Sequence, residues 1–157
     1  METAPEIRSE TFDRLEIADL DLSGRLICCS SFSSATFTNV KFTKSIFRLC
    51  IFDFATFVDC NFEHSDMKYS VFAGARLTRA DFGNSDILHC NFNGSEATDV
   101  TFNDSDLYYS SFVAARLLRV GFVDCNLKKV RFEHSFRDEV SFKYSNHEEA
   151  LFSEDPG

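Results

Sequence analysis

Along one unbroken five-residue register from Phe12 to Phe152, all but three positions hold a large apolar residue: Phe32, Phe37, Phe42, Phe47, Phe52, Phe57, Phe62, Met67, Phe72, Leu77, Phe82, Ile87 and onward. On an α-helix, steps of five rotate by about 140° and scatter such residues around the cylinder, and on a strand an odd step flips the side chain to the opposite face each time. Neither regular element can bury this series. A chain that turns once per five residues places every fifth side chain on one inner axis, which makes a solenoid.

A second period lies on top of the first. Residues 62–67 read FEHSDM, 82–87 FGNSDI and 102–107 FNDSDL, so similarity is strongest at steps of twenty, and four five-residue units form one coil. Sorted by coil, one column is Phe12, Phe32, Phe52, Phe72, Phe92, Phe112, Phe132 and Phe152, and the column half a coil away runs from Leu22 through Phe42, Phe62, Phe82, Phe102 and Phe122 to Phe142. Stacked at the strand spacing of about 4.8 Å, successive phenyl rings fall within reach of favourable aromatic pairing. Burial of each inward Phe is worth roughly 1.5–3 kcal/mol. Ala97, in a mixed column with Leu77 and Leu117, predicts a local void. Arg137 and His147 occupy slots made for large apolar groups, which predicts a loose or polar-capped last coil.

The slot two before the large residue holds only Ser, Ala, Cys or Val from Ser30 to Ala150. Four of the six cysteines, Cys50, Cys60, Cys90 and Cys125, fall in it and read as compact apolar fillers. Cys28 and Cys29 are adjacent, and there is no C-x-x-C pair, so the thiols point to neither a disulfide framework nor a metal site. No cofactor is expected.

The unit of small residue, outward residue, Phe or Leu and two further outward residues, as in SDMKY, ADFGN and SDLYY, resembles the pentapeptide-repeat family over residues 12–152. The resemblance implies an all-β fold, a right-handed quadrilateral β-helix of about seven coils of four units. The expected organisation is an N-terminal tail or cap (1–11), one solenoid domain (12–152) and a C-terminal tail (153–157). The only prolines, Pro5 and Pro156, lie in the two tails. METAPEIRSE lacks a basic stretch followed by an apolar run, and no segment is long enough to span a bilayer, which predicts a cytoplasmic protein with no membrane contact.

Function must then come from outward residues. Asp59, Arg79, Asp99, Arg119 and Glu139 share one slot and alternate in sign, with Arg76, Glu96 and Arg116 beside them. This face is expected to neutralise itself, its arginines holding register and binding no phosphate. Where the third side of the coil turns into the fourth, the outward residues are Asp66, Asn84, Asp86, Asp104, Asp106, Asp124 and Asn126, with few cations before Lys128 and Lys129. Carboxylates at regular intervals along a rod about 34 Å long resemble a nucleic-acid backbone in charge pattern. A net charge of −9 excludes nucleic acid as a direct partner and favours a basic protein groove. The plainer reading is that these Asp and Asn side chains bond nearby backbone groups. Beside the edge, Leu49, Tyr69, His89 and Tyr109 form an exposed column, the kind of surface that protein interfaces select.

The four histidines fall on different sides or at the frayed end, and the paired carboxylates stand on a convex edge, so no enzyme is expected. Phe-rich, Cys-containing, acidic members of the family resemble the subgroup that binds DNA gyrase or topoisomerase IV and protects it from quinolones or peptide toxins. The resemblance therefore implies partner contact through Asp66, Asp86, Asp104, Asp106 and Asp124, with Tyr69 and Tyr109 beside them. The alternative is a generic scaffold or adaptor that binds another protein through the aromatic side. A homodimer is compatible with the chain, but the short acidic end NHEEALFSEDPG provides no clear C-terminal dimer module.

Overall fold

The computed structural model describes residues 6–153. Every strand pairs in parallel with a segment twenty residues away, so the twenty-residue period is one turn of a four-sided β-helix of about seven turns. Two opposite sides are regular sheets. One is built from β1 (Glu6–Arg8), β3 (Leu26–Cys28), β5 (Ile46–Arg48), β7 (Asp66–Lys68) and β9 (Asp86–Leu88). The other contains β2 (Glu16–Ala18), β4 (Thr36–Thr38), β6 (Thr56–Val58), β8 (Arg76–Thr78), β10 (Glu96–Thr101), β11 (Arg116–Gly121) and β12 (Phe136–Asp138). The two sides between them are joined by single parallel bridges, such as Ile51↔Val71 and Asn61↔Asp81. No helix among the described residues is long and apolar enough to cross a membrane.

The winding begins ahead of Phe12. Glu6–Arg8 is a strand paired with Leu26–Cys28, and Ile7 fills a large inward slot, so part of the stretch read as an N-terminal tail or cap belongs to the first coil. The sequence reading started at the first Phe and passed over Ile7 in the same register.

The core consists of the expected ladders. Phe32, Phe52, Phe72, Phe92 and Phe112 stack at 4.7–4.9 Å, and Phe42, Phe62, Phe82 and Phe102 at 4.5–4.9 Å. In early coils Phe37, Phe47 and Phe57 lie between the two ladders. Where the flanking slots shrink to Leu77, Ala97 and Leu117, the ladders meet edge to face instead, at 6.1 Å for Phe82–Phe92 and 5.7 Å for Phe92–Phe102. Ala97 is itself buried in this part of the core. Ser95, two residues earlier, is the one core serine hydroxyl among the described residues with no hydrogen-bond partner.

The small slot is a second ladder. Ser65, Ser85 and Ser105 donate to the carbonyls of Phe42, Phe62 and Phe82 at 2.8–3.1 Å, and the Cys125 thiol donates to that of Phe102. Serine and cysteine are interchangeable there because each is small and can cap a buried carbonyl. Burial pushes the Cys50 and Cys125 thiols up to about 11 and Cys90 to about 12, which removes the reactive thiolate at neutral pH. At the far end the polar cap takes shape: Arg137 lies 4.7 Å over the Phe152 ring, and a short 3-10 turn (His147–Glu149) stacks on the coil below through the Lys129 N–H and the Glu149 carbonyl.

Candidate functional site

Each side of the coil ends on a residue with φ near +55°, which swings the chain through the corner and projects that side chain outward. Asn84, Asp104 and Asp124 end the side containing Phe62 at φ 53°, 62° and 55°. The next side, containing Met67, begins with Asp66, Asp86, Asp106 and Asn126, held in register one coil apart. The structure therefore brings the sequence-derived acidic residues onto one corner of the rod.

Their surroundings differ from one another. Asp66 is engaged: Arg48 Nη2 lies 2.9 Å from its carboxylate and Lys68 Nζ 3.9 Å away. The early part of this edge thus has cations, contrary to the sequence reading. Asp106 accepts the Tyr108 backbone N–H and the Asn126 side-chain amide, each at 3.0 Å, and the amide chain continues to Asn146. For Asp106 the structural reading holds. Asp86, Asp104 and Asp124 are exposed, and their carboxylates make no ion pair or hydrogen bond among the described residues.

Two further carboxylates extend the acidic surface onto the side containing Phe62. Asp81 accepts the Gly83 N–H at 2.8 Å, and burial, together with the neighbouring Glu63, holds its carboxyl above the usual range. Sequence reasoning missed this pair because it followed single columns, whereas Glu63 and Asp81 meet diagonally between coils.

The aromatic column is a continuous external stack. Tyr69 and Tyr109 lie on either face of His89, with ring centroids 5.1 and 5.0 Å away, and Tyr108 meets His89 edge-on. Lys129 closes the column 5.7 Å over Tyr109. The alternating charges, expected as a continuous ladder, resolve into discrete pairs. Arg79 and Arg119 grip Asp59 and Asp99 at 2.6 Å and hold both carboxyls below their usual range, and Arg76 pairs with Glu96 at 3.8 Å. Arg116 turns instead to the Phe136 ring, 5.0 Å away. Two depressions of about 420 Å3 lie at the C-terminal end around Leu151, away from the acidic edge.

Comparison with known proteins bears on the fold. The family profile described as a pentapeptide repeat region matches residues 30–112, just over half of the chain. No curated protein sequence matches. Similar solved structures include a trypsin-treated QnrB1, a plasmid-mediated fluoroquinolone resistance protein, at 13% identity over 92% of each chain with a TM-score of 0.40. HetL, a pentapeptide repeat protein involved in heterocyst differentiation regulation in the cyanobacterium Nostoc, is 10% identical over 92% of this chain and 90% of its own, with a TM-score of 0.37. A pentapeptide repeat protein of the Arabidopsis thaliana thylakoid lumen is 25% identical over 68% of this chain and 67% of its own, with a TM-score of 0.34. The profile match agrees with the five-residue beat, the twenty-residue register and the inward Phe ladders, and the chain belongs to the pentapeptide-repeat family.

Proposed function

We propose that this protein is a non-catalytic, protein-binding rod whose acidic edge takes the place of a nucleic-acid backbone in the basic groove of DNA gyrase or topoisomerase IV, modulating that enzyme or protecting it from quinolones or toxins. The observation that carries this reading is the set of exposed carboxylates Asp86, Asp104 and Asp124, which spend none of their charge within the molecule. Elsewhere on the rod, exposed acidic groups such as Asp59 and Asp99 are held by arginines. An unpaired anion retains its full attraction for a cationic partner, whereas a paired one must first give up its partner.

The test is a gyrase supercoiling assay with and without a quinolone, comparing the wild type with the triple variant Asp86→Lys, Asp104→Lys, Asp124→Lys. Lysine already adopts the corner conformation at Lys44 and Lys129, with φ of 58° and 60°, so the fold tolerates the change at Asp104 and Asp124, and Asp86 opens a strand at the position that Arg76 and Arg116 fill in β8 and β11. The expected result is lost inhibition or protection at an unchanged melting temperature. Wild-type protein without effect on gyrase and topoisomerase IV at micromolar concentration sinks the reading, as does a triple variant that acts like the wild type.

A further inference from the structure

Away from its two ends, the rod exposes large apolar side chains in one region only. Ile46, Leu49, Ile51, Phe54, Tyr69 and Tyr109 lie on the side containing Phe52, or on the strand and corner that lead into it; the remaining exposed ones belong to the first coil and the last two. On three successive coils this face reads YSVFAG (69–74), HCNFNG (89–94) and YSSFVA (109–114), without one Asp, Glu, Lys or Arg. In a chain with a net charge of −9, an uncharged face three coils long is the one place where an identical surface can approach without facing its own charges.

The face also has relief. One edge is the raised stack of Tyr69, His89 and Tyr109, the two tyrosines 55% and 51% exposed. The other is low, formed by Gly74, Gly94 and Ala114. Phe54, 66% exposed, lies across Gly74, where an added Cβ would stand 2.6 Å from its ring; nothing lies within 4 Å of such an atom at Gly94.

We propose that this face is the interface between two copies of the chain, related by a twofold axis parallel to the rod. That axis lays the raised edge of each copy on the low edge of the other at the same coil level. His89 covers the partner copy's Gly94, Tyr109 covers its Ala114, and Tyr69 meets the Phe54 ring that lies across its Gly74, while Asp53 on the coil before stays outside the contact. Val71, Asn91 and Ser111 run down the middle of the face and meet their own counterparts. A twofold axis across the rod would set ridge against ridge instead. The contact is isologous and closes at two copies. Three coils at about 4.8 Å each span about 14 Å, a patch smaller than the roughly 800 Å2 per partner of a standard interface, so the dimer dissociates on dilution into the micromolar range. It leaves the acidic edge, a full side away, uncovered and does not depend on the topoisomerase reading.

The test is sedimentation velocity of the full chain from low micromolar to several hundred micromolar. Wild-type protein is expected to shift to twice its monomer mass as concentration rises. Asn91→Asp sets two carboxylates against each other on the axis while keeping the turn contact: Asn91 accepts the Asn93 N–H at 2.8 Å, as Asp81 accepts that of Gly83 in the same slot of another side. It is expected to remain monomeric with an unchanged thermal unfolding curve. Tyr109→Ala, which removes a ridge side chain and no core contact, is expected to weaken the dimer at least tenfold and decides the matter should Asn91→Asp fold poorly. A wild-type chain that stays monomeric throughout overturns the proposal, as does a dimer that both substitutions leave intact.

Discussion

Twenty-five non-glycine residues, one at nearly every corner from Ser9 to Tyr144, hold φ between 50° and 64°, and glycine takes that position only at Gly24, Gly74 and Gly94. An L-residue in the left-handed region costs about 1–2 kcal/mol, and a β-branched one is a true outlier there. None of the twenty-five is Val, Ile or Thr. That exclusion is present in the sequence, but it carries no hydropathy signal, so a reading based on large and small inward slots passes over it. It has a direct consequence at Lys44, an exposed corner at φ 58° whose backbone N–H bonds the Glu63 carbonyl at 3.0 Å. Lys44→Val is expected to lower stability by about 1–2 kcal/mol and Lys44→Gly to raise it by up to about 1 kcal/mol. Urea unfolding of the two variants beside the wild type checks both signs, and equal midpoints would refute the strain account.

At the scale of the coil, the sequence exposes contacts at i+20 and hides those on the diagonal. Columns read in twenties find Asp59 with Arg79 and Asp99 with Arg119, both of which pair in the structure. They miss Arg48 with Asp66, eighteen residues apart, because the guanidinium reaches across the strand to the next coil. The same diagonal hides the effect of Glu63 on Asp81. Burial and Glu63 raise the Asp81 carboxyl above its unfolded value, so the folded state binds more protons between the two values and stability falls as pH rises through that window. Asp81→Asn keeps the acceptor for the Gly83 N–H, as Asn61 does for the Glu63 N–H at 2.8 Å, and removes the half-buried charge. The expected outcome is a higher melting temperature at neutral pH, with the advantage disappearing under acid, where Asp81 in the wild type is already protonated. A melting-temperature series across pH in which the two proteins run parallel would contradict it.

For the whole molecule, the inner half of the sequence is almost fully legible, because each inward slot sees the same neighbours on every coil and repetition averages out local exceptions. The outward half is legible only in part, since a surface residue's role depends on which of several neighbours it chooses: Asp86 and Asp106 look alike in sequence, yet only Asp106 is bonded. The two ends break the repetition, and they break it differently. In the first coil Ile7, Phe12, Ile17 and Leu22 are only partly buried, with Leu15 and Leu20 exposed around them. At the other end Arg137 and His147 occupy large-residue slots, Arg137 stacked on Phe152 and His147 5.9 Å from Phe142. An apolar first coil facing a polar last coil cannot stack head to tail, and a head-to-tail contact is the arrangement that propagates without closing. The double variant Arg137→Leu, His147→Leu completes the apolar ladder at the last coil and removes the Arg137 charge from it. It is expected to unfold at a higher temperature and, with concentration, to form end-to-end filaments visible by light scattering and electron microscopy. A variant that is more stable yet shows no scattering would mean that the polar cap serves only local packing and does not guard against propagation.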